Sequence, residues 1–555
     1  MSRRPVTRLL LIVPLAGLLI ASPARAADAD DPAMQPPFGG QQPPALERPD
    51  SQVVPPPGFE LSAAEAVRAA DAADAVRDEL AETPDARAVA FVRGDRWQVD
   101  YVAGEAADQP RVAFAIVDGS SGRVVEAWRD HQVSTELSRG YSGAIAQKVN
   151  APYVWIPLCL LFVAPFLDFR RPFRLLHLDL LVLLGLGVSL YFLNRAELTA
   201  SVALVYPVLS YVLVRMLVAG LWPRERSGPL LPLVPVKALA IAAVVLACGR
   251  VALNVADSQV IDVGVAGVIG ADRIADGEPL YEGSFSPGLD LRGDVYGPAN
   301  YLAYVPFEQL WPWDGEWDDV PAAHAAAIAF DLLCALGLLL LGRRLRAGAD
   351  GSALGVALAF AWLAYPFTLY TMNANANDSL VAALGVGAML ALTSAPARAA
   401  FVALAGAAKF GSAALAPLFA TGTGERRWRS AAIFALCFAA VTALLFAPFV
   451  PDDGVRELYD RTLGYQATRN SPFSVWGLAP SLDFLQPLAR AAAVLLALGL
   501  ALHPRFKTPI QVAALAAAVT IAVQLTAAHW FYFYVVWFLP FTLLVLFGSQ
   551  RLVRR

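Results

Sequence analysis

From residue 152 onward the chain returns repeatedly to apolar runs of about twenty residues, such as "LLHLDLLVLLGLGVSLYFL" and "LTASVALVYPVLSYVLVRMLVAG". A helix of that length is about 30 Å long, which matches the hydrocarbon core of a bilayer. Inside lipid only a helix or a closed barrel satisfies every backbone amide. Repeated runs of this length point to a polytopic α-helical membrane protein. The hydrophobic share of 57% over 555 residues agrees with this and exceeds that of ordinary soluble domains. Expected spans are 152–168, 175–193, 198–220, 231–256, 322–345, 352–372, 379–394, 430–450, 487–502, 508–527 and 529–548.

The first 26 residues read as an export signal: Arg3, Arg4 and Arg8, then "LLLIVPLAGLLIA", then Ala24-Arg25-Ala26 as a cleavage site. Residues 27–60 are rich in Pro, Ala and Asp and are expected to be a disordered linker. Residues 61–150 combine an Ala-rich charged helix (about 61–80) with strand-length segments "ARAVAFV", "RWQVDYVAG", "PRVAFAIVD" and "GRVVEAWRD". A small exported α+β domain follows from that pattern, and it weakly resembles a PepSY module. Residues 151–230 would form a three-span extension and 231–555 the membrane core.

Lys and Arg favour the cytoplasmic side of a membrane. With the N-terminal domain outside, Arg170, Arg171 and Arg174, then Arg224 and Arg226, then Arg343, Arg344 and Arg346 all fall inside. The outer loop 257–321 has 13 acidic residues against only Arg273 and Arg292. Segment 398–420 is then expected to enter and return on the cytoplasmic side, turning near 408–412, so that "GERRWRS" and the terminal "RLVRR" both stay inside. The total is eleven full spans plus a re-entrant pair, with the C-terminus cytoplasmic.

The formal net charge of −4 does not favour nucleic acid as a partner. Cys159, Cys248, Cys334 and Cys437 sit in apolar runs with neither disulfide nor zinc spacing. Chemistry is therefore sought in the outer loops 257–321 and 451–486. Asp262 lies just beyond the fourth span, followed by Gly264, Ala266, Gly267, Gly270 and Ala271, which would let a short helix lie close to the bundle. A carboxylate held there and partly desolvated could act as a base; the bland alternative is a solvated loop acid. Tyr296, Tyr301, Tyr304, Trp311 and Trp313 suit either an interfacial belt or the stacking of a sugar.

Asp262 opens "DVGVAGVIGADRIADGEPLY", closed by Gly277, Pro279 and Tyr281, and Tyr296-Gly297-Pro298 leads to Pro306-Phe307. This pattern resembles bacterial polyprenyl-phosphate-dependent glycosyltransferases of the GT-C class, especially family 87. The resemblance covers roughly residues 235–550. It implies a GT-C-like core and Asp262 as the general base. It also makes Asn375 and Asn377 of "NANAND" and Lys409, here followed by Phe410 where the family usually has Pro, candidates for binding substrate. The partners it implies are a polyprenyl-phosphate sugar donor, a lipid or envelope-glycan acceptor, and the lipids of the plasma membrane.

Phosphate needs cationic partners. Arg250, inside the fourth span, is one candidate or else half of an ion pair with Asp331; Arg469 and His529 are phosphate partners or interfacial anchors. Lys409 could instead satisfy carbonyls at the re-entrant turn. Asp290 and Asp294 lack the D-x-D spacing of a metal pair; a lone cation between them is the alternative to the expectation of no metal or cofactor, and Asp294 is assigned to donor or acceptor hydroxyls. The rival function is a transporter or flippase for a lipid-linked or polar substrate, which broken helices and intramembrane charges would also serve. A scaffold or sensor anchored by the membrane part ranks third.

Overall fold

A computed structural model describes residues 47–103, 111–129, 146–194, 198–224, 229–285, 293–317, 320–424, 427–468, 471 and 473–550. The expected export signal, the linker up to residue 46, Asp290, Arg292 and Arg469 lie outside them.

The N-terminal region is a four-stranded antiparallel meander, β1 (Arg87–Arg93), β2 (Arg96–Val102), β3 (Arg111–Asp118) and β4 (Val124–Arg129), in the order β1-β2-β3-β4. The two-residue turn Gly94-Asp95, with Gly94 at φ 63°, closes the first hairpin. Where one helix was expected there are two, α1 (Ala63–Asp71) and α2 (Asp74–Glu82). Alanine would continue the helix through Ala72, but Ala73 is extended. Asp71, the last residue of α1, accepts a 2.6 Å hydrogen bond from the Tyr101 hydroxyl, and Asp74 sits in the first turn of α2, where the helix dipole favours it. The linker expected to run to residue 60 is shorter: Glu47 bridges Val92, and the Phe59 ring meets Trp97 edge-on. Trp97, Val99, Tyr101, Ala113, Ala115 and Val117 pack under α1 and α2. Phe114, Ile116 and Trp128, on the other face, belong to the same apolar cluster as Val149 and the helices that follow.

The apolar runs are helices: α3 (Pro152–Val163), α4 (Leu175–Leu193), α5 (Leu198–Leu221), α6 (Val236–Ala256), α7 (Asp262–Asp276) and α8 (Pro321–Leu345). They continue as α9 (Gly348–Ala364), α10 (Pro366–Asn373), α11 (Asp378–Leu390), α12 (Ala395–Ala408), α13 (Arg427–Phe446), α14 (Gln486–Leu502), α15 (Pro509–Leu525) and α16 (Val535–Gly548). Among the described residues, five helices are long and apolar enough to cross a membrane, or six if α9 and α10 form one span. The expected span 352–372 is in fact broken, α9 and α10 being bent by 58°. Pro366 ends α9 because it has no N–H to donate. The carbonyls this releases are recovered from the side: Thr368 Oγ1 donates to Trp362 O, and Arg250 donates to Leu363 O at 3.1 Å.

Segment 395–421 folds back on itself. Lys409, extended at φ −140° and ψ 116°, separates α12 from a 3₁₀ turn (Phe410–Leu415) and the short helix Ala416–Thr421. Arg398, at the start of α12, donates to Phe419 O at 2.6 Å and Ala420 O at 3.2 Å, so the two ends of the hairpin meet. Helices α15 and α16 are buried almost throughout, whereas α6 and α13 expose Ile241, Val244, Val245, Leu436 and Leu444. An apolar exterior around a well-buried centre is what a lipid-facing bundle requires. One end of the bundle gathers Arg174, which donates to Gln550, and Arg346, which donates to Gly548 O and Gln550 O. The other end holds the candidate site.

Candidate functional site

Helix α7 is positioned by glycines at every third residue. A Cβ on Gly264 would come within 2.5 Å of the Asn375 carbonyl oxygen, and Cβ atoms on Gly267 and Gly270 would run into the Tyr304 and Tyr301 rings. The small residues therefore admit two tyrosines and a backbone carbonyl, which fixes α7 against the segment joining α10 to α11. Asp262 is the first residue of α7 and half-buried.

The segment 373–377 is stitched to the end of α6. Gln259 N donates to Asn373 O and Ile261 N to Ala374 O, both at 3.2 Å, like one rung of a sheet. Asn375 takes the left-handed conformation, φ 51°, where asparagine is among the few tolerated residues. Its side-chain amide donates to Ser258 Oγ and Gln259 O, while its oxygen accepts from Asn254 Nδ2 at 2.9 Å. Asn377 donates to Asn300 Oδ1 at 2.7 Å. Both asparagines carry structure next to Asp262. The N-terminal region reaches the same place, since Lys148 forms an ion pair with Asp257.

Asp378, the first residue of α11, meets Lys409 at the hairpin tip at 2.7 Å, both side chains being less than 8% exposed. Trp537 Nε1 donates to the same carboxylate oxygen at 2.7 Å. The Lys409 ammonium lies 5.4 Å from the Tyr296 and Tyr534 ring centres and 5.6 Å from that of Trp537, an aromatic cage around a cation. Tyr296 is held there by its backbone: Tyr281 donates to its carbonyl at 2.7 Å, and its N–H donates to the Tyr301 hydroxyl at 3.2 Å. Burial raises the phenol pKa values of Tyr281 and Tyr301 well above the ordinary range, so both stay protonated donors. Gly297 lies flat on the Ala407 carbonyl, where a Cβ would overlap it.

His529 bonds Ser471 Oγ at 2.7 Å and packs edge-on against Tyr534, one ring removed from Lys409. Asp294 is paired with Arg461 at 2.8 Å, which ties segment 257–321 to segment 451–486. Arg250 is committed elsewhere: it pairs with Asp331 at 2.7 Å and bonds Leu363 O and Thr368 Oγ1, with Trp362 Nε1 also donating to Asp331. Of its two sequence readings, the ion pair is the one formed. Among the described residues no three His, Cys, Asp or Glu side chains converge as metal ligands.

Sequence reasoning brought Asp262, Asn375, Asn377, Tyr296, Lys409 and His529 to one end of the bundle but missed Asp378, Trp537, Tyr534 and Arg461. Asp378 closes the quoted "NANAND", and Glu457 and Arg461 stand at helical i,i+4 spacing; these were the available signals. No protein-family model matches the chain, and no curated protein is detectably similar to it.

Proposed function

We propose that this chain is a membrane glycosyltransferase of GT-C-like architecture. It moves a sugar from a polyprenyl phosphate to an extracytoplasmic lipid or glycan acceptor, with Asp262 as the general base. The observation that carries this reading is the convergence of the Asp262 helix start, the asparagine segment 373–377 and the caged Lys409–Asp378 pair at one end of an apolar bundle. Acidic outer-loop residues lie at that end, while Arg174, Arg346 and Arg398 mark the other. By the positive-inside rule this supports a site outside the cytoplasm, in a topology of eleven crossings with the 395–421 hairpin entering from the cytoplasmic side.

Nucleotide sugars are cytoplasmic, so an outward-facing enzyme needs a lipid-linked donor. The acceptor oxygen forms a bond to the anomeric carbon as the carbon–phosphate oxygen bond breaks, inverting that carbon. The bonding pair leaves with the polyprenyl phosphate, and the hydroxyl proton passes to Asp262. A positioned base of this kind contributes on the order of a hundredfold or more. Aromatic rings beside carboxylates favour a sugar, whose C–H face stacks while its hydroxyls hydrogen-bond.

The test uses membranes holding wild type or Asp262→Asn, supplied with radiolabelled polyprenyl-phosphate sugars and envelope extracts. Label should enter a new product with wild type and fall at least a hundredfold with the variant, while both insert and fold alike. Equal transfer by the two removes Asp262 as the base. Absence of transfer by folded wild type with every donor favours a transporter, for which the broken α9–α10 pair would serve.

A further inference from the structure

Beside the Lys409–Asp378 pair lies a group of polar atoms with no partner among the described residues: Asn300 Nδ2, Tyr304 Oη, Asn377 Oδ1, Asp378 Oδ2, Ser379 Oγ and Ser412 Oγ. Their residues are 0 to 5% exposed. They come from three places that meet: the short helix Pro298–Leu302 with the turn after it, the start of α11, and the hairpin tip. Asn300 and Asn377 are bonded to each other, Ser412 N donates to Lys409 O at 3.0 Å, and the Asp378 carboxylate adds to the burial that holds the Tyr304 phenol protonated. Buried polar groups are almost always paired in native proteins, so unpaired ones on these neighbouring segments need an explanation.

The set contains amide and hydroxyl donors together with carboxylate and amide acceptors. An anion would face the free oxygens of Asp378 and Asn377, and a divalent cation would face the Lys409 ammonium on the same carboxylate. A group that donates and accepts in turn satisfies all six. We propose that this junction is a binding subsite for a polyhydroxy group, a sugar ring. This rests on the proposed function and names what one part of that site recognises. It assigns Asn300, Ser379 and Ser412 to the sugar hydroxyls.

The experiment compares full-chain wild type, Ser412→Ala and Ser379→Ala in nanodiscs. Thermal unfolding is followed without lipid ligand, with polyprenyl phosphates carrying a hexose or a pentose, and with the same polyprenyl phosphate bearing no sugar. Deleting an unpaired hydroxyl should raise the unliganded midpoint by about 2 °C. It should also weaken binding of the sugar-bearing lipid roughly tenfold, leaving the response to the sugar-free lipid intact. Three results overturn the subsite: no sugar-dependent stabilisation of wild type, an equal loss of stability with and without sugar, which marks ordered water only, or a weakened response to the sugar-free lipid, which marks a phosphate site. Wild type that transfers label while the serine variants bind donor normally removes the subsite and keeps the enzyme. Wild type that binds the sugar-bearing lipid through these serines without transferring label keeps the subsite and removes the enzyme.

Discussion

The Lys409 ammonium stands 2.7 Å from the Asp378 carboxylate, so the tip of the 395–421 hairpin is locked to the start of α11 by a buried ion pair. Neither partner is well solvated, and Trp537 shares the same carboxylate oxygen. Removing one charge leaves the other buried without its partner, which costs about 3–5 kcal/mol, whereas removing both costs much less. Lys409→Met and Asp378→Asn should each lower the thermal midpoint clearly, and the double variant should recover most of that loss without recovering transfer. Single variants that melt with wild type would mean the pair holds nothing in place.

Arg250 joins α6 to α8 through Asp331 and to the end of α9 through Leu363 O. Arg250→Met should destabilise by about 3–5 kcal/mol because Asp331 stays buried. Arg250→Lys should rescue little, because one ammonium lacks the planar fork that reaches the carboxylate and the carbonyl together. The measurement is folded yield and unfolding midpoint in detergent. An Arg250→Met protein that folds as wild type but no longer binds donor would return Arg250 to the role of phosphate partner.

The helices were legible because apolar length is local: the run at 175–193 is α4, and the run at 322–345 is α8 within a residue. The hairpin break near 408–412 was legible from charge placement, a global constraint still written in the sequence. The break inside 352–372 was not, although Pro366 was visible. A proline within an apolar run either kinks or ends a helix, and here Arg250, more than a hundred residues away, takes the released carbonyl. Distance in sequence hid the site's pairings too. Asp378 and Lys409 are 31 residues apart, Asp294 and Arg461 are 167 apart, and neither spacing has a period to reveal it.

Gly264 tests whether the placement of Asp262 depends on the close approach of α7 to the asparagine segment. An added methyl meets the Asn375 carbonyl, a backbone atom that cannot swing aside, so Gly264→Ala should displace the helix start. A shift of about 1 Å at a reacting group costs up to a hundredfold, so turnover should fall at least tenfold in a protein that remains folded. Gly249, on α6, is the control: a Cβ there meets nothing within 4 Å, and alanine should be neutral or stabilise by up to about 1 kcal/mol. Equal turnover by Gly264→Ala and wild type would detach α7 from the chemistry.

At the opposite end of the bundle, Lys507 gives the protein a pH dependence separate from the site. It lies between α14 and α15, 4% exposed, donating to Ala501 O at 3.0 Å. Burial first, and the Arg427 charge second, bring its pKa down from 10.5 to about 8. Between those two values the unfolded chain holds a proton on Lys507 that the folded chain does not, so stability rises with pH across that window. Below about 8 both states are charged, and the folded state bears the full penalty. Lys507→Met removes that penalty, so it should raise the midpoint at neutral pH by roughly 2–4 °C and flatten the rise at alkaline pH. The check is the unfolding midpoint of both proteins from pH 7 to 10.5. Parallel curves over that range would show that Lys507 keeps its ordinary ionisation in the folded protein.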